Sequence, residues 1–370
     1  MSRGERVMHA LRTLSLPEGL LPLATATEQI IGFRHAERPL RAVQYPIERN
    51  DPDAAQLLEN FALSICGMPA DWEEAHMIER ALAAIRGAAG AGKALCAVSG
   101  GVDSAVCAKL AHMALGDRLV CVFIDTGLLR QGEAEQVVST MMDTMGIVVA
   151  YVDTREAFLN ALSGVSAEAD KQRIVSSLLW QVLLKQLSYE PEVTVLLTGS
   201  TYTDRLAADA PDRLEPHHEG GPALLAPVSE LFKPEVRRLA EALQLPAHIA
   251  NRQPFPESGL ATRIVGDVTA AKLELLRDVD AIFTEEVQAG GHEKRLWQYY
   301  AMLLPNPAEP YGDAVLLRAV QEADGHAYAA RLPYDLLERM VRRIHERSPE
   351  IGRVVYDLTP SRNYEKSEAF

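Results

Sequence analysis

Apolar runs and amphipathic segments alternate through the middle of the chain. Four short, continuous apolar runs predict buried strands, at residues 94–98, 119–124, 147–152 and 193–198. Apolar residues at helical spacing between them predict helices over residues 103–115, 133–145 and 172–187. Continuous apolar strands joined by helices are typical of a parallel sheet that is covered on both faces. The pattern therefore predicts an α/β domain that binds its ligands at the carboxyl ends of the strands.

The pattern changes on either side of this domain. Residues 1–73 are the least regular part of the chain, and an amphipathic helix is predicted over residues 72–88. Beyond Val268 the pattern predicts a small α+β domain, with helices over 271–287 and 334–346 and strands at 314–320, 328–332 and 353–358. These changes predict three domains, at residues 1–73, 74–262 and 263–370.

Composition narrows the possible functions. The chain has 370 residues, of which 48% are hydrophobic, so a sizeable core is expected. Its net charge of −14 makes a broad nucleic-acid surface unfavourable, and no apolar run is long enough to span a membrane. The N-terminal residues lack the apolar stretch of a signal peptide. The four cysteines show neither a CxxC pair nor a metal-type spacing. Three of them lie in or beside apolar runs, which is typical of buried, reduced thiols. We therefore expect a cytoplasmic protein.

The candidate chemistry lies directly after the first predicted strand. Residues 99–104 read Ser-Gly-Gly-Val-Asp-Ser, and a helical pattern starts at Val102. A strand, a glycine loop and a helix N-terminus together place free backbone N–H groups and the helix dipole around one anion. Ser99 and Ser104 add hydroxyl donors, whereas Asp103 would repel a phosphate and is predicted to bind Mg²⁺. The spacing differs from a Walker loop, and a plain Gly-Gly turn capped by Ser or Asp is the alternative explanation.

The same six residues resemble the signature of the ATP pyrophosphatases, the PP-loop enzymes that cleave ATP between its α and β phosphates. Segments 123–130, 231–237, 254–256 and 353–359 resemble GMP synthetases, in the order of that family and at similar spacing. The resemblance implies a parallel-sheet ATP pyrophosphatase domain of the adenine nucleotide alpha-hydrolase-like class, followed by a small α+β dimerisation domain. It also implies ATP and Mg²⁺ as cofactors and a homodimer.

The resemblance implies a role for each matching residue. Asp103 would hold Mg²⁺ and Lys233 would contact the β and γ phosphates, and both are the expected catalytic residues. ATP is expected to bind at Val98, Ser99, Gly100, Gly101, Val102, Ser104 and Asp125. The acceptor nucleotide is expected at Asp204, Pro254, Phe255, Pro256 and Gly259. An ordinary solvated lysine is the alternative for Lys233, although a cation at a helix N-terminus is unfavourable without a nearby anion.

Two departures from the family pattern concern the nitrogen donor and the acceptor. The family's glutaminase segment Gly-Val-Gln-Phe-His-Pro-Glu corresponds here to residues 42–48, with Pro46 in place of His. We therefore expect residues 1–73 to be a non-catalytic remnant of a glutamine amidotransferase domain, so that ammonia is free or comes from a partner protein. The family's Pro-Phe-Pro-Gly-Pro-Gly-Leu corresponds to residues 254–260, where Glu257 and Ser258 replace Gly and Pro. The family's lid segment, Lys-Ser-His-His-Asn, corresponds to residues 215–219, which read Glu-Pro-His-His-Glu, and the C-terminal tail no longer matches the family. An acceptor other than XMP remains open.

Three functions are compatible with these residues. The first is an AMP-forming ligase that adenylylates an oxo group of a purine nucleotide, XMP or an analogue, and replaces it with nitrogen. The second is sulfur transfer to the same adenylylated purine, with a sulfur-donor protein as partner. Cys107 is the cysteine nearest the loop, although its place in the helical pattern predicts a buried side chain. The third is a non-catalytic, nucleotide-sensing protein, against which the retention of Asp103 and Lys233 argues.

Overall fold

The computed structural model describes residues 16–26, 29–44, 52–207, 221–253, 255–305, 313–323 and 326–359. It divides into two compact units, Met1–Trp72 and Glu73–Phe370. The Tyr-Pro-Ile-Glu part of the predicted glutaminase counterpart, the lid at 215–219, Pro254 and the C-terminal residues 360–370 lie outside the described residues.

The first unit contains a small antiparallel sheet, although residues 1–73 showed no regular pattern. Strands β1 (Leu20–Ala26), β2 (Gln29–His35) and β3 (Arg41–Val43) pair in that order. His35 closes the turn after β2, because its Nδ1 accepts the backbone N–H groups of Glu37 at 3.1 Å and Arg38 at 3.0 Å. A helix α1 (Pro52–Glu59) follows and continues as a π-helical turn, Asn60–Ile65. Leucines exposed on β1 weaken its period-two pattern, so the sequence does not reveal the sheet.

The second unit is built on a five-stranded, all-parallel sheet, as predicted. Its strands are β4 (Lys93–Ala97), β5 (Leu119–Asp125), β6 (Val149–Asp153), β7 (Val193–Leu197) and β8 (Ala223–Leu225). Their order in the sheet is β6-β5-β4-β7-β8. The chain thus runs outward from β4 through β5 and β6 and then crosses to the other side of β4. This reversal places the topological switch point, where such sheets bind ligands, at the carboxyl ends of β4 and β7.

Helices cover the sheet and connect its strands. They are α2 (Glu74–Ala89), α3 (Val102–Leu115), α4 (Glu133–Ser139), α5 (Arg155–Ala161), α6 (Glu168–Ser188), α7 (Tyr202–Ala207), α8 (Lys233–Ala242) and α9 (Ala247–Ala250). A π-helical turn, Thr140–Thr144, extends α4. Helix α3 is the most buried of them, because it packs against β4, α2 and α8 with Val106, Cys107 and Leu110 fully enclosed. Its N-terminus is therefore held rigidly behind the loop at residues 98–101.

The remaining elements form the predicted α+β module. A short 3₁₀ turn, Gly259–Arg263, leads into α10 (Ala270–Ala289). Strands β9 (Gln298–Leu304), β10 (Asp313–Ala323), β11 (His326–Ala329) and β12 (Ile351–Tyr356) follow, with α11 (Tyr334–Arg347) before the last. The central strand β10 pairs antiparallel with β9 and β11 and parallel with β12. Helices α10 and α11 pack against one face of this sheet.

One hydrophobic core joins this module to the parallel-sheet domain. Leu128, Phe158 and Val175 pack in the same cluster as Leu276 and Phe283 of α10. A buried lysine strengthens the connection, because Lys171 on α6 donates to the carbonyls of Ala261, Ile264 and Gly266 at 3.2, 2.6 and 2.6 Å. The desolvation of this ammonium lowers the pKa of Lys171. The segment 259–266 is thus held both by the hydrophobic cluster and by the hydrogen bonds from Lys171.

Among the described residues, we find no helix with both the length and the apolar character that crossing a bilayer requires.

Candidate active site

The glycine loop after β4 is closed on itself by hydroxyl groups. The Ser104 hydroxyl accepts the backbone N–H of Ser99 at 3.1 Å and donates to the carbonyl of Gly101 at 3.1 Å. The two serine hydroxyls lie 3.1 Å apart. Gly100 has φ +80°, which glycine adopts at little steric cost. The loop and the first turn of α3 therefore have the strand–loop–helix geometry from which the sequence analysis predicts an anion cradle.

An ion pair stands at the mouth of this cradle. Lys233 Nζ pairs with Asp103 Oδ2, and the two side chains are 32% and 24% exposed. Lys233 is the first residue of α8, where a cation opposes the helix dipole, so the Asp103 carboxylate offsets an unfavourable position. The other oxygen, Asp103 Oδ1, is buried and has no hydrogen-bond partner among the described residues. The structure thus brings together the two residues that the sequence predicts to be catalytic.

The turn after β7 packs directly onto this helix N-terminus. A Cβ on Gly199 would lie 2.8 Å from the backbone nitrogen of Ser104 and 2.9 Å from the carbonyl carbon of Asp103. Only glycine allows so close an approach of the two backbones. The next residues start α7, where the Asp204 carboxylate accepts the Thr201 N–H at 2.7 Å and the Thr201 hydroxyl at 2.9 Å. Asp204, which we predicted to bind the acceptor, lies in this neighbourhood and also serves as a local cap.

Val98 and Asp125, which we also predicted to bind ATP, lie at the ends of neighbouring strands. Val98 is buried and extends β4, with its N–H bound to the carbonyl of Val122 at 2.9 Å. Asp125 ends β5 and is 5% exposed. Its carboxylate accepts the N–H of Gly127 at 2.8 Å and the hydroxyl of Tyr151 at 2.5 Å. Desolvation and the Asp125 carboxylate raise the pKa of Tyr151 to about 12. Asp125 therefore orders the loop that follows β5.

The segment predicted to hold the acceptor packs against that same loop. Gly259 has φ +57°, and a Cβ there would lie 2.9 Å from the Leu128 side chain. The next residue, Leu260, donates its N–H to the carbonyl of Leu128 at 2.8 Å. Phe255 and Pro256 are half-buried nearby, and Glu257 accepts the hydroxyl of Ser176 at 2.6 Å. The loop after β5 and the segment at Phe255 are thus packed side by side.

Two arginines, the half-buried Arg130 and the buried Arg263, lie beside Phe255, and no sequence pattern predicted this arrangement. The ring of Phe255 lies between Arg130 and Arg263, whose guanidinium carbons are 4.9 and 5.1 Å from its centroid. Arg263 also stacks on Tyr300 at 4.1 Å, and Asp280 lies 3.1 Å from Nε of Arg130. Desolvation lowers the pKa of Arg263 to about 10. Each arginine alone reads as an ordinary surface residue, because the residues around it come from distant parts of the chain.

Three buried cysteines, Cys96, Cys107 and Cys121, lie in β4, α3 and β5 and outside the glycine loop, whereas Cys66 is exposed. Cys107 is fully buried, as its helical position predicts, and its Sγ lies 3.9 Å from Cys96 Sγ and 3.5 Å from the Thr198 carbonyl. The hydrogen bond with Cys107 and burial raise the pKa of the Cys96 thiol. Hydrogen bonding to Cys96 and burial likewise raise the pKa of Cys121. Cys107 is enclosed by its neighbours and out of reach of a substrate, so this arrangement does not present it as a sulfur carrier.

The donors available to a cation are few. Within the described parts of the chain, no group of three or more His, Cys, Asp or Glu side chains is arranged to hold a metal ion. Among the described residues, Asp103 Oδ1 is the one buried carboxylate oxygen that has no hydrogen-bond partner. This suits Mg²⁺, which is commonly held by one or two carboxylates together with substrate phosphates and water.

The parallel sheet with a serine–glycine loop at its switch point is the architecture of the ATP pyrophosphatase domain of the PP-loop class. The NAD synthase family model matches residues 76–178, and the model of the GMP synthase C terminal domain matches residues 285–363. The chain is 39% identical over 364 residues to GMP synthase [glutamine-hydrolyzing] from Caldicellulosiruptor saccharolyticus, covering 93% of this chain and 71% of that protein. It is 36% identical to GMP synthase [glutamine-hydrolyzing] from Syntrophomonas wolfei, covering 97% and 73%. The chain belongs to the GMP synthase family.

Solved structures with lower similarity include an NH3-dependent NAD synthetase from Campylobacter jejuni. It shares 12% sequence identity and a TM-score of 0.41, over 75% of this chain and 96% of that one.

Proposed function

We propose that this protein is an AMP-forming ligase that adenylylates the 2-oxo group of XMP, or of a close analogue, and replaces it with nitrogen. The oxo oxygen attacks the α phosphorus of ATP, and pyrophosphate leaves with the electrons of the broken P–O bond. Ammonia then attacks C2, AMP leaves with the former oxo oxygen, and the added nitrogen loses a proton to solvent. The relatives at 36–39% identity are named GMP synthases, which supports this choice of product.

The observation that carries the proposal is the pairing of Asp103 with Lys233 over the glycine loop. Negative charge grows on the β phosphate as the α–β bond breaks. We propose that the backbone N–H groups at the start of α3 and the ammonium of Lys233 stabilise that charge. A pair that served only the fold would leave no carboxylate oxygen buried and unbonded, as Asp103 Oδ1 is.

Mg²⁺ fits this donor set, because an unpartnered carboxylate oxygen is the kind of ligand it prefers. Asp103 is the residue that would hold it. The bound ion would neutralise charge on the ATP phosphates and so make pyrophosphate a better leaving group. In the structure Lys233 is paired with Asp103. If Asp103 bound Mg²⁺ instead, the ammonium of Lys233 would be released from this pair and could turn towards the β and γ phosphates.

The acceptor is proposed to lie between the loop after β5 and the segment at Phe255. The half-buried ring of Phe255 offers an apolar face to a purine, and Arg130 beside it offers positive charge to a nucleotide. Glu257 adds a carboxylate at the edge of this area. We therefore propose XMP as the first substrate to test, with other 2-oxopurine nucleotides as alternatives.

We also propose that the second sheet mediates a homodimer. Met302, Leu316 and Val355 form one row across β9, β10 and β12, on the face opposite α10 and α11. All three are at least partly exposed. Leu304, two residues further along β9 than Met302, is partly exposed on the same face. An open apolar sheet face of this kind is typically covered by another surface. Size-exclusion chromatography with light scattering tests this: a dimer is expected for the wild type and a monomer for Leu316→Asp, and a monomeric wild type would contradict it.

The proposed reaction is tested by incubating the protein with ATP, Mg²⁺, XMP and ammonium. Equal amounts of AMP, pyrophosphate and GMP are expected. Pyrophosphate release with XMP but no GMP would point to another nucleophile, and sulfide is the donor to try next. Tight binding of ATP with no release of pyrophosphate for any purine nucleotide would contradict the proposal and favour a nucleotide-sensing role.

A further inference from the structure

A buried ion pair contacts the glycine loop from the side of the acceptor segment. Arg252, which follows α9, donates from Nη1 to the carbonyl oxygen of Gly100, and its Nη2 pairs with Oε1 of Glu133 at the start of α4. The side chains of Arg252 and Glu133 are 20% and 6% exposed. The backbone of the loop is therefore held by a guanidinium that comes from about 150 residues further along the chain.

The partners of Arg252 are fixed in turn. The other oxygen of Glu133 accepts the backbone N–H of Arg130 at 2.8 Å, so this carboxylate cannot follow the guanidinium freely. Desolvation, with a contribution from Arg130, lowers the pKa of Arg252 to about 10. The group thus stays charged at neutral pH while largely shielded from water, a setting in which a charge-assisted hydrogen bond is strong.

The contact with Gly100 controls a neighbouring N–H group. In a trans peptide the C=O of one residue and the N–H of the next point in opposite directions. Holding the Gly100 carbonyl therefore fixes the direction of the Gly101 N–H, which belongs to the anion cradle. The Gly101 N–H contacts Ser99 Oγ at only 3.4 Å, so it remains available to a stronger acceptor.

This peptide would otherwise be easy to turn over. Both of its residues are glycines, with φ +80° at Gly100 and φ −69° at Gly101. Glycine has no Cβ to oppose rotation about the bonds on either side of the peptide. A flipped peptide would point a carbonyl oxygen at the phosphate in place of an N–H and so repel the anion.

We propose that Arg252 is a positioning residue that keeps the Gly100–Gly101 peptide in its anion-binding orientation, and that Glu133 holds Arg252 in place for this task. The inference rests on the proposed function only in taking the anion to be a phosphate of ATP. It does not depend on the identity of the acceptor, because the contacts that carry it involve only Arg252, Gly100 and Glu133.

The first experiment measures binding of Mg²⁺-pyrophosphate and of Mg²⁺-α,β-methylene-ATP by calorimetry, well below the melting temperature of each variant. Arg252→Met is expected to weaken both by about tenfold or more, since a hydrogen bond from a charged group is lost. Arg252→Lys can reach Gly100 or Glu133 but not both, so its affinity is expected to lie between those of the wild type and Arg252→Met.

The chain offers a matched control at the opposite, amino-terminal end of the strands. Arg118 also donates to glycine carbonyls, those of Gly90 at 2.7 Å and Gly92 at 2.9 Å. Both glycines precede β4, whereas Gly100 follows it. Arg118→Met removes the same kind of contact far from the cradle. We expect it to lower the melting temperature while changing affinity by less than about threefold. Equal losses of affinity in Arg118→Met and Arg252→Met would reduce Arg252 to a general structural role and overturn the proposal.

A second experiment observes the peptide directly. The sequence has three Gly-Gly pairs, at 100–101, 220–221 and 290–291. Glycine labelled with ¹³C at the carbonyl and with ¹⁵N therefore gives three signals in an HNCO spectrum, one for each second glycine. The Gly101 signal is expected to shift or broaden in Arg252→Met, in Arg252→Lys and in Glu133→Gln, while the Gly291 signal stays in place.

The outcomes separate this inference from the proposed function. Wild-type-like pyrophosphate binding and an unmoved Gly101 signal in Arg252→Lys and Glu133→Gln would overturn the role of Arg252, even if Arg252→Met does not fold. Loss of pyrophosphate binding with a moved Gly101 signal supports that role, even if XMP is not turned over.

Discussion

Asp103 and Lys233 meet across 130 residues of sequence and bring the start of α3 to the start of α8. The ion pair accounts for the position of each residue at the N-terminus of its helix. The carboxylate of Asp103 is stabilised by the positive end of the α3 dipole, whereas the ammonium of Lys233 is destabilised by the positive end of α8 unless an anion lies beside it. One oxygen of Asp103 stays unbonded, so the carboxylate can bind a cation without first losing a hydrogen bond to the protein. The pair therefore marks the place where ATP and Mg²⁺ are expected to meet.

Replacing Asp103 by Asn keeps the shape of the side chain and removes its charge. We expect ATP-dependent pyrophosphate release to fall by about 10²–10³-fold, because a positioned charge in the site is lost. Binding of metal-free ATP is expected to hold or improve, since a negative charge next to the phosphates disappears. The two measurements are a coupled pyrophosphate assay and calorimetry with EDTA. Asp117→Asn, in the exposed turn after α3, is the control and should retain activity.

Tyr151 gives a pH-dependent test of the loop after β5. The hydroxyl donates to Asp125, and the pKa of Tyr151 in the folded protein is raised from 10.0 to about 12. Between these values the unfolded chain loses the proton first, so the contribution of Tyr151 to stability is complete below pH 10 and is lost as the pH rises towards 12. The melting temperature of the wild type should therefore fall more steeply than that of Tyr151→Phe from pH 10 to 12. Parallel curves would contradict the hydrogen bond.

Gly259→Ala tests the close packing of the segment at Phe255 against the loop after β5. Gly259 combines φ +57° with a backbone neighbour, Leu128, in the space that a Cβ would fill. Gly146 has φ +68° and open space around it, so Gly146→Ala measures backbone strain alone. We expect Gly146→Ala to cost about 1 kcal/mol in unfolding free energy and Gly259→Ala about 2–4 kcal/mol, because the second adds a steric clash. Urea denaturation provides both values. Equal costs would show that the two segments are not packed as described.

Cys107→Ala examines the sulfur-transfer alternative. The thiol is fully buried beside Cys96, so its removal should leave a small cavity and lower stability by about 1–2 kcal/mol. Turnover well below the melting temperature is expected to match the wild type. Complete loss of AMP formation in a folded Cys107→Ala variant would instead indicate that the thiol takes part in the chemistry.

The parallel-sheet domain could be predicted from sequence because its signals are local. The apolar runs that became β4 to β7 and the six residues 99–104 each occupy one short stretch, so periodicity and order were sufficient. Strand β9 was missed because Tyr300, Met302 and Leu304 are apolar on the open face while Tyr299, Ala301 and Leu303 face the core. The strand therefore shows no alternation of polar and apolar residues.

The arginines of the site could not be predicted for a different reason. Arg130, Arg252 and Arg263 come from separate segments and acquire their neighbours only in the folded chain. Nothing in the residues next to Arg252 indicates that its guanidinium reaches Gly100. Lys233 was found only because its segment resembles a known family, and no pattern in the sequence alone pairs it with Asp103.

The most direct test of the proposed chemistry follows an oxygen atom. XMP carrying ¹⁸O at the 2-oxo position is incubated with the protein, ATP, Mg²⁺ and ammonium, and the AMP formed is analysed by ³¹P NMR or mass spectrometry. If the oxo group attacks the α phosphorus at the cradle held by Asp103 and Lys233, the label appears in AMP and is absent from GMP and pyrophosphate. Unlabelled AMP formed in step with GMP would contradict the adenylylation of the purine.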